Sequence, residues 1–451
     1  MTMAVREESS RFDSVLLLVC LTIAAGFRLV AMITQPEQLA LDRDAYLGIA
    51  TCVAQGHGYS SPNSSVPTAF RPPLYSLCLA AGLLLFTPAI TVGGINLIAG
   101  LLTVWLTAAA GRHLRLGRAR FAAAMIVAID PLLLRYASQP MTESFCTLLA
   151  AFWLWSMVAD WTSSDGQRND RQRAIGGLVA GIAFGLLVLS RPTFWPIAAC
   201  CGLYLLVHLA RRFRTPVDQA LPPALPGQTS AFRSMLICTA AAAILIAPWV
   251  VRNTLVFGTP ILTTTHGGYT LLLGNNPVFY EQVVQRPWGA TWPDASQRAW
   301  EVDLAAQLDR DLGAQATELQ RDTWQSQQAR SFIGSHPVET LQAAVHRVRS
   351  LWNTVPHGEP IDGLRARVFI LIGWYYGGLL LAAFAGMVLV LSRPRRRYWW
   401  PLYALIISIQ LVHLIYWTNT RMRAPLTPAI ALFAVAPFAR RRADPPLHVV
   451  A

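Results

Sequence analysis

The chain is 451 residues long, 54% hydrophobic and 14% charged, with a mean hydropathy of +0.39; this excludes an ordinary soluble globular protein and marks a polytopic membrane protein. The formal charge of +13 does not point to nucleic acid, because most arginines sit in short clusters between apolar runs, the pattern of cytoplasmic loops. Lysine is absent, so cationic sites use permanently charged guanidiniums, and a lysine base or Schiff base is excluded.

Runs long enough for a ~30 Å hydrocarbon core, which needs about 20 residues, lie near 12–33, 91–110, 119–137, 144–161, 174–190, 192–210, 234–251, 366–391, 399–416 and 424–438, predicting ten spans. The N-terminus has no cleavable-leader pattern, so Val15 to Ile33 reads as a retained span. The run from Leu74 to Thr87 is shorter and opens on Pro-Pro, which predicts a surface or re-entrant helix. If it does not cross, the clusters Arg112/Arg115/Arg118/Arg120, Arg168/Arg171/Arg173, Arg211/Arg212/Arg214/Arg233, Arg393/Arg395/Arg396/Arg397 and Arg440 to Arg442 all fall on the cytoplasmic side. Residues 35–90, Ser138 to Glu143, Arg191, 252–365 and Thr418 to Arg423 then share the outer face.

The first outer loop carries the densest polar chemistry. A helix starting near Leu41 would set Asp42 and Tyr46 on one face with Asp44 turned away; the plainer reading is that the acids favour a helix N-terminus. Gly56, His57 and Gly58 form a turn. Arg71 precedes Pro72 and Pro73, which fix an extended entry into a helix, and its fork is suited either to a phosphate or to lipid headgroups. Further along, Glu143 opens a span in PMTES, Arg191 sits in LSRPT, Arg252 and Asn253 close PWVVRN, and Arg421 and Arg423 lie in TNTRMRAP. Outer arginines at span ends oppose the usual charge bias, and binding an anion compensates for it.

The region 252–365 is the one sizeable polar piece. Leu304, Leu308 and Leu312 repeat at helical spacing, as do Leu341, Val345 and Val348, and His336-Pro337 reads as a helix start. These helices are expected to pack on the membrane core, giving a division into 1–251, 252–365 and 366–451. Pro216 to Gly227 is a proline-rich cytoplasmic linker. Of seven cysteines, Cys20, Cys146, Cys200, Cys201 and Cys238 lie in apolar runs as small hydrophobes, Cys52 and Cys78 are a candidate pair, and no spacing suggests a metal.

The ordered series DRDAY, RPPLY, TE, LSRPT, PWVVRN, GNNP and RMRAPLTP resembles the GT-C membrane glycosyltransferases, in the branch of lipid A aminoarabinose transferases, protein O-mannosyltransferases and rhizobial lipopolysaccharide glycosyltransferases. The resemblance implies an all-α polytopic fold of about ten spans in a bacterial inner membrane. It also implies inverting transfer of a sugar from a polyprenyl-phosphate donor to a lipid, glycan or protein acceptor on the periplasmic face. An acid of the first outer loop would act as base: Asp42 stands four before Tyr46 as that acid does, while Arg43 in place of the usual acidic neighbour keeps Asp44 open. Where relatives carry Lys before Pro-Pro, this chain has Arg71. Glu143 is expected to orient the acceptor, and Tyr46, His57, Arg71, Arg191, Arg252, Asn253, Arg421 and Arg423 to bind substrate. No cofactor or metal ligand set is firmly implied. The competing class is a transporter or flippase of a lipid-linked or anionic substrate, which calls for charges inside the spans.

Overall fold

The structure is a computed structural model that describes residues 2–62, 64, 66–162, 169–213, 228–355, 364–393 and 396–439. The linker 216–227, Arg168, Arg214, Arg395 and Arg440 to Arg442 lie outside the described residues. Among the described residues, the β structure is a single antiparallel bridge between Ser60 and Pro67; the rest of the regular structure is helical.

In chain order the first half comprises α1 (Thr2–Thr34), α2 (Tyr46–Ala54), α3 (Pro73–Leu83), α4 (Pro88–His113), α5 (Ala119–Ile129), α6 (Pro131–Ala137), α7 (Thr142–Thr162), α8 (Asp170–Ser190), α9 (Pro196–Phe213) and α10 (Gln228–Phe257). The segment between α10 and α16 carries α11 (Gly267–Gly274), the single turn α12 (Pro277–Phe279), α13 (Asp294–Leu312), α14 (Glu318–Ser335) and α15 (Pro337–Leu351). The chain closes with α16 (Leu364–Leu391), α17 (Trp400–Val412) and α18 (Thr427–Val435). Of the ten predicted spans, 6 are, among the described residues, single helices long and apolar enough to cross a membrane, in α1, α4, α7, α8, α10 and α16. The run at 119–137 is broken into α5 and α6, that at 399–416 holds α17 preceded by the 3-10 turn Arg396–Trp399, and that at 424–438 holds α18 flanked by the 3-10 segments Thr420–Leu426 and Ala436–Phe438. With 11 residues, α3 rises about 16 Å, well short of a hydrocarbon core of about 30 Å.

The break in the third run is chemically complete. Pro131 has no N–H to continue the ladder, and the Asp130 carboxylate instead accepts the Leu133 N–H at 3.0 Å and the Tyr376 hydroxyl at 3.1 Å. The freed carbonyls at the end of α5 are taken by Arg28 of α1, which is 2% exposed and donates to Ala128 at 3.0 Å and Val127 at 3.4 Å. A charge buried in a span is here spent on backbone satisfaction.

The main apolar cluster runs through α5, α7, α8, α16, α17 and α18. Helix α8 meets α10 along Gly177, Gly181 and Gly185, where a Cβ at the first two would collide with backbone at Ser234 and Cys238; small residues four apart let the two helices approach closely. In the segment from α11 to α15, Leu304 and Leu308 of α13 bury against Leu271, Leu272 and Trp324.

Polar ties fasten that region to the first loop and the spans. Glu318, opening α14, accepts from Thr68 Oγ1 at 2.7 Å, from the Ala69 N–H at 3.0 Å and from Thr265 Oγ1. Arg347 of α15 donates to the Leu414 carbonyl just beyond α17 at 2.7 Å, to Asn275 Oδ1 at 2.7 Å and to the Gly274 carbonyl. All the cysteines are free thiols, so the candidate Cys52–Cys78 pair does not form; the Cys52 Sγ instead lies 3.8 Å from the Ser61 carbonyl.

Candidate active site

The loop before α2 differs from the predicted helix. Helix α2 starts at Tyr46, and Ala45 before it is left-handed with φ 62°. The reason lies in Asp42: its Oδ2 accepts the Gly48 N–H at 2.6 Å, one of the donors left open by a first helical turn, and reaching it requires the chain to fold back between the two. Asp42 and Tyr46 are therefore not one turn apart on a helix, and Asp44 is not turned away. The second oxygen of Asp42 is buried with no hydrogen-bond partner. Burial raises the Asp42 carboxyl above its usual range, opposed by the Gly48 and Leu47 N–H groups and reinforced by the charge of Asp44.

Asp44 lies between two guanidiniums. The Arg71 Nε donates to the Asp44 carbonyl at 2.7 Å while its Nη2 stands 3.5 Å from the carboxylate, and the Arg421 Nη1 reaches the other oxygen at 3.3 Å. Extended Pro72 and first-turn Pro73 of α3 hold Arg71 in this position. Its guanidinium also covers the rings of Tyr46 at 5.3 Å and Phe70 at 4.9 Å, so Tyr46 contributes a cation–π face.

Glu143, in the first turn of α7, is fully buried. One of its oxygens accepts from Arg191 Nη2 at 2.9 Å and lies at ion-pair distance, 3.2 Å, from Arg421 Nε; the other has no hydrogen-bond partner. Arg191 is at the extended end of α8 before Pro192, and it also donates to Thr142 Oγ1 at 2.6 Å. Arg421 sits in the 3-10 segment Thr420–Leu426, whose start is capped by the Asn419 side chain. Residues far apart in sequence thus bring three guanidiniums onto Asp44 and Glu143, one positive charge more than these two carboxylates carry, a difference that the neighbouring Asp42 balances when it is ionised. In a poorly hydrated place such a grouping of guanidiniums favours an anion.

Other predicted site residues are used differently. Arg252 donates to the carbonyls of Tyr59 and Thr68, each at 2.8 Å, and stacks on Trp249 at 5.2 Å. Asn253 is fully buried and holds the Ile261 carbonyl at 3.0 Å. Arg423 donates to Asn353 O at 2.8 Å and Leu351 O at 3.2 Å beneath the Tyr376 ring. His57 is exposed on the turn after α2. These four are not joined to the charge cluster: the two arginines and Asn253 are engaged with backbone carbonyls, and Arg252 with the Asn253 side chain as well, while His57 faces solvent.

His266 was not foreseen, the stretch TTTHGGY having no pattern that singles it out. Its ring meets Phe70 edge-on at 4.2 Å, placing it behind the ring that Arg71 covers. Burial, with the charge of Arg71, lowers its pKa well below the usual histidine range, so it is neutral at physiological pH. A cavity of about 260 Å³ adjoins this corner, with Ser61, Thr68, Phe70 and Glu318 in its walls. Among the described residues, no group of three or more His, Cys, Asp or Glu side chains is arranged to hold a metal ion.

The family model of dolichyl-phosphate-mannose-protein mannosyltransferases matches residues 70–221. No curated protein matches the sequence. Among solved structures, the oligosaccharyltransferase AglB of Archaeoglobus fulgidus, in complex with an inhibitory peptide and a dolichol-phosphate, is similar with a TM-score of 0.53 at 14% identity over 94% of this chain and 50% of that one. The apo form of the Archaeoglobus fulgidus oligosaccharyltransferase gives 0.53 at 15% identity over 93% and 50%. ArnT of Cupriavidus metallidurans bound to undecaprenyl phosphate aligns over 94% of this chain and 77% of that one at 14% identity, with a TM-score of 0.39. The chain spans about half the length of the oligosaccharyltransferase structures, and at these identities the likeness is one of fold.

Proposed function

We propose that this chain, which has the fold of the GT-C membrane glycosyltransferases, transfers a sugar from a polyprenyl-phosphate carrier to an acceptor hydroxyl at the outer face of a bacterial inner membrane. The observation that carries the reading is Arg421, which bridges Asp44 of the first loop and Glu143 of α7 at 3.3 and 3.2 Å beside Arg71 and Arg191. This cluster gathers three guanidiniums in one place, the donor set that a lipid phosphate would use.

In the reaction the acceptor oxygen attacks the anomeric carbon as its proton passes to Asp42. The bond from that carbon to the phosphate oxygen breaks, and the electron pair leaves with the lipid phosphate, whose charge Arg71, Arg191 and Arg421 stabilise. Attack opposite the leaving group inverts the anomeric centre. Asp42 is the better base of the two loop acids, because its burial favours the protonated form and one oxygen has no partner, whereas both Asp44 oxygens face arginines. Glu143 and Asp44 hold the guanidiniums in place, which gives Glu143 a positioning role toward the donor rather than the acceptor role suggested by sequence. The cavity beside Phe70 supplies the approach for the acceptor.

The test is transfer from a synthetic polyprenyl-phosphate sugar by the full chain in nanodiscs, read as released polyprenyl phosphate. Asp42→Asn should bind polyprenyl phosphate as the wild type does and lose about 10²- to 10⁴-fold in turnover. Full turnover in Asp42→Asn would refute the assignment of the base, and wild-type failure to bind polyprenyl phosphate would refute the donor class.

A further inference from the structure

We propose that the outward face of α15 is a lipid-binding surface, seated on phosphate-bearing headgroups of the membrane in which the chain is embedded. The polarity of this helix is inverted relative to one facing water. Its inward side buries Arg347, 1% exposed, with Ala343 and Ser350, while Val338, Leu341 and Val345 on the other side are 65%, 67% and 54% exposed. At spacings of three and four these apolar residues form one stripe, and an apolar stripe turned outward is the arrangement of a helix that meets lipid.

The position of the helix fits that occupant. Through Arg347, α15 is fastened to the Leu414 carbonyl just past the end of α17, and its last residue, Leu351, is held through its carbonyl by Arg423 of the 3-10 segment before α18. It therefore lies beside the ends of two apolar helices, where the proposal puts the headgroups. A groove of about 370 Å³ runs along its outer side, with exposed Arg286 and Arg349 in its walls together with Trp288. The Arg349 guanidinium covers the Trp288 ring at 3.9 Å. Tryptophan beside arginine, with aliphatic residues next to them, is the chemistry of the interfacial zone: the ring occupies the boundary, the guanidiniums pair with phosphate, and the valines and leucine enter the acyl edge. A soluble acidic partner would account for the arginines but not for the exposed valines and leucine.

The inference does not depend on sugar transfer, and its test does not read activity. Nitroxide labels are placed at Leu341→Cys and Val345→Cys, with a water-facing control at Arg298→Cys on α13, in full-length protein whose native cysteines are replaced by alanine. The protein is reconstituted in nanodiscs of phosphatidylcholine and phosphatidylglycerol. The α15 labels should collide several-fold more with oxygen than with a water-soluble nickel chelate, the control showing the reverse. Adding Arg286→Ala and Arg349→Ala together should let the nickel chelate reach position 345. In the unmodified wild type, a diazirine-bearing phosphatidylglycerol should label α15 peptides, so the prediction stands even where a cysteine variant does not fold. Nickel accessibility at 341 and 345 equal to the control, or absence of lipid labelling on α15, would overturn the proposal and leave the groove to a soluble anionic partner. An unchanged profile in the arginine variant would remove the headgroup pairing from it.

Discussion

Glu143→Gln tests the electrostatic logic of the site directly. The substitution keeps the size of the side chain but removes a charge from a fully buried position where one oxygen meets Arg191 at 2.9 Å and Arg421 at 3.2 Å. Three guanidiniums would then share Asp44 alone. Removing one partner of a buried ion pair costs about 3 to 5 kcal/mol, which for a chain of this size lowers the melting temperature by something on the order of 5 °C. A lipid phosphate lying on those guanidiniums supplies the missing negative charge, so polyprenyl phosphate should stabilise Glu143→Gln by more degrees than it stabilises the wild type. The assay is thermal unfolding in nanodiscs across a series of polyprenyl phosphate concentrations, with the uncharged polyprenol as control. Equal or smaller stabilisation of the variant, at matched occupancy, would refute the reasoning that Arg191 and Arg421 receive the phosphate.

Arg421→Ala should weaken polyprenyl phosphate binding by more than about tenfold, since a charged hydrogen bond contributes about 1.5 to 3 kcal/mol, while Arg423→Ala, whose guanidinium serves carbonyls, should leave that affinity within about twofold; direct titration decides. Arg252→Ala should lower thermal stability without changing lipid-phosphate affinity, because the two carbonyl bonds it loses join α10 to the first loop. Turnover should fall as pH drops through the raised pKa of Asp42, since the base must be ionised; Asp44→Asn removes a neighbouring negative charge that raises that pKa, so the acid limb of its rate–pH profile should move to lower pH. A reporter fused after Gly117 should be active only in the cytoplasm, and periplasmic activity would overturn the outer-face assignment.

Much of the site was legible because charge is scarce in this chain. Each isolated polar residue at a span end stood out, and Asp44, Arg71, Glu143, Arg191 and Arg421 do meet. Arg252 and Arg423 lie apart from that cluster for a common reason: sequence records that a guanidinium is present but not whether a backbone carbonyl nearby lacks a donor. Arg28 escaped notice as a buried span charge because it is a lone residue in an apolar run, and its use depends on a break formed by Asp130-Pro131 a hundred residues away. Helical periodicity also misplaced Asp42, since one side-chain bond to the Gly48 N–H decides where α2 starts. Leu341 and Val345 were read correctly as a helical repeat, but periodicity does not say which side of a helix is covered.

The hydrogen bonds of Glu318 to Thr68, Ala69 and Thr265 bear on how such a chain is re-engineered or diversified. They join the segment from α11 to α15 to the loop residues immediately before Arg71, so the two segments are not interchangeable parts. A chimera that receives a foreign 252–365 segment inherits a donor set at 68–69 without its carboxylate, or a carboxylate without its donors, and either mismatch displaces the arginine two residues on. Successful exchanges would have to move 59–71 and 252–318 as one heritable unit, and natural variation in acceptor preference within such chains should show paired changes across that seam.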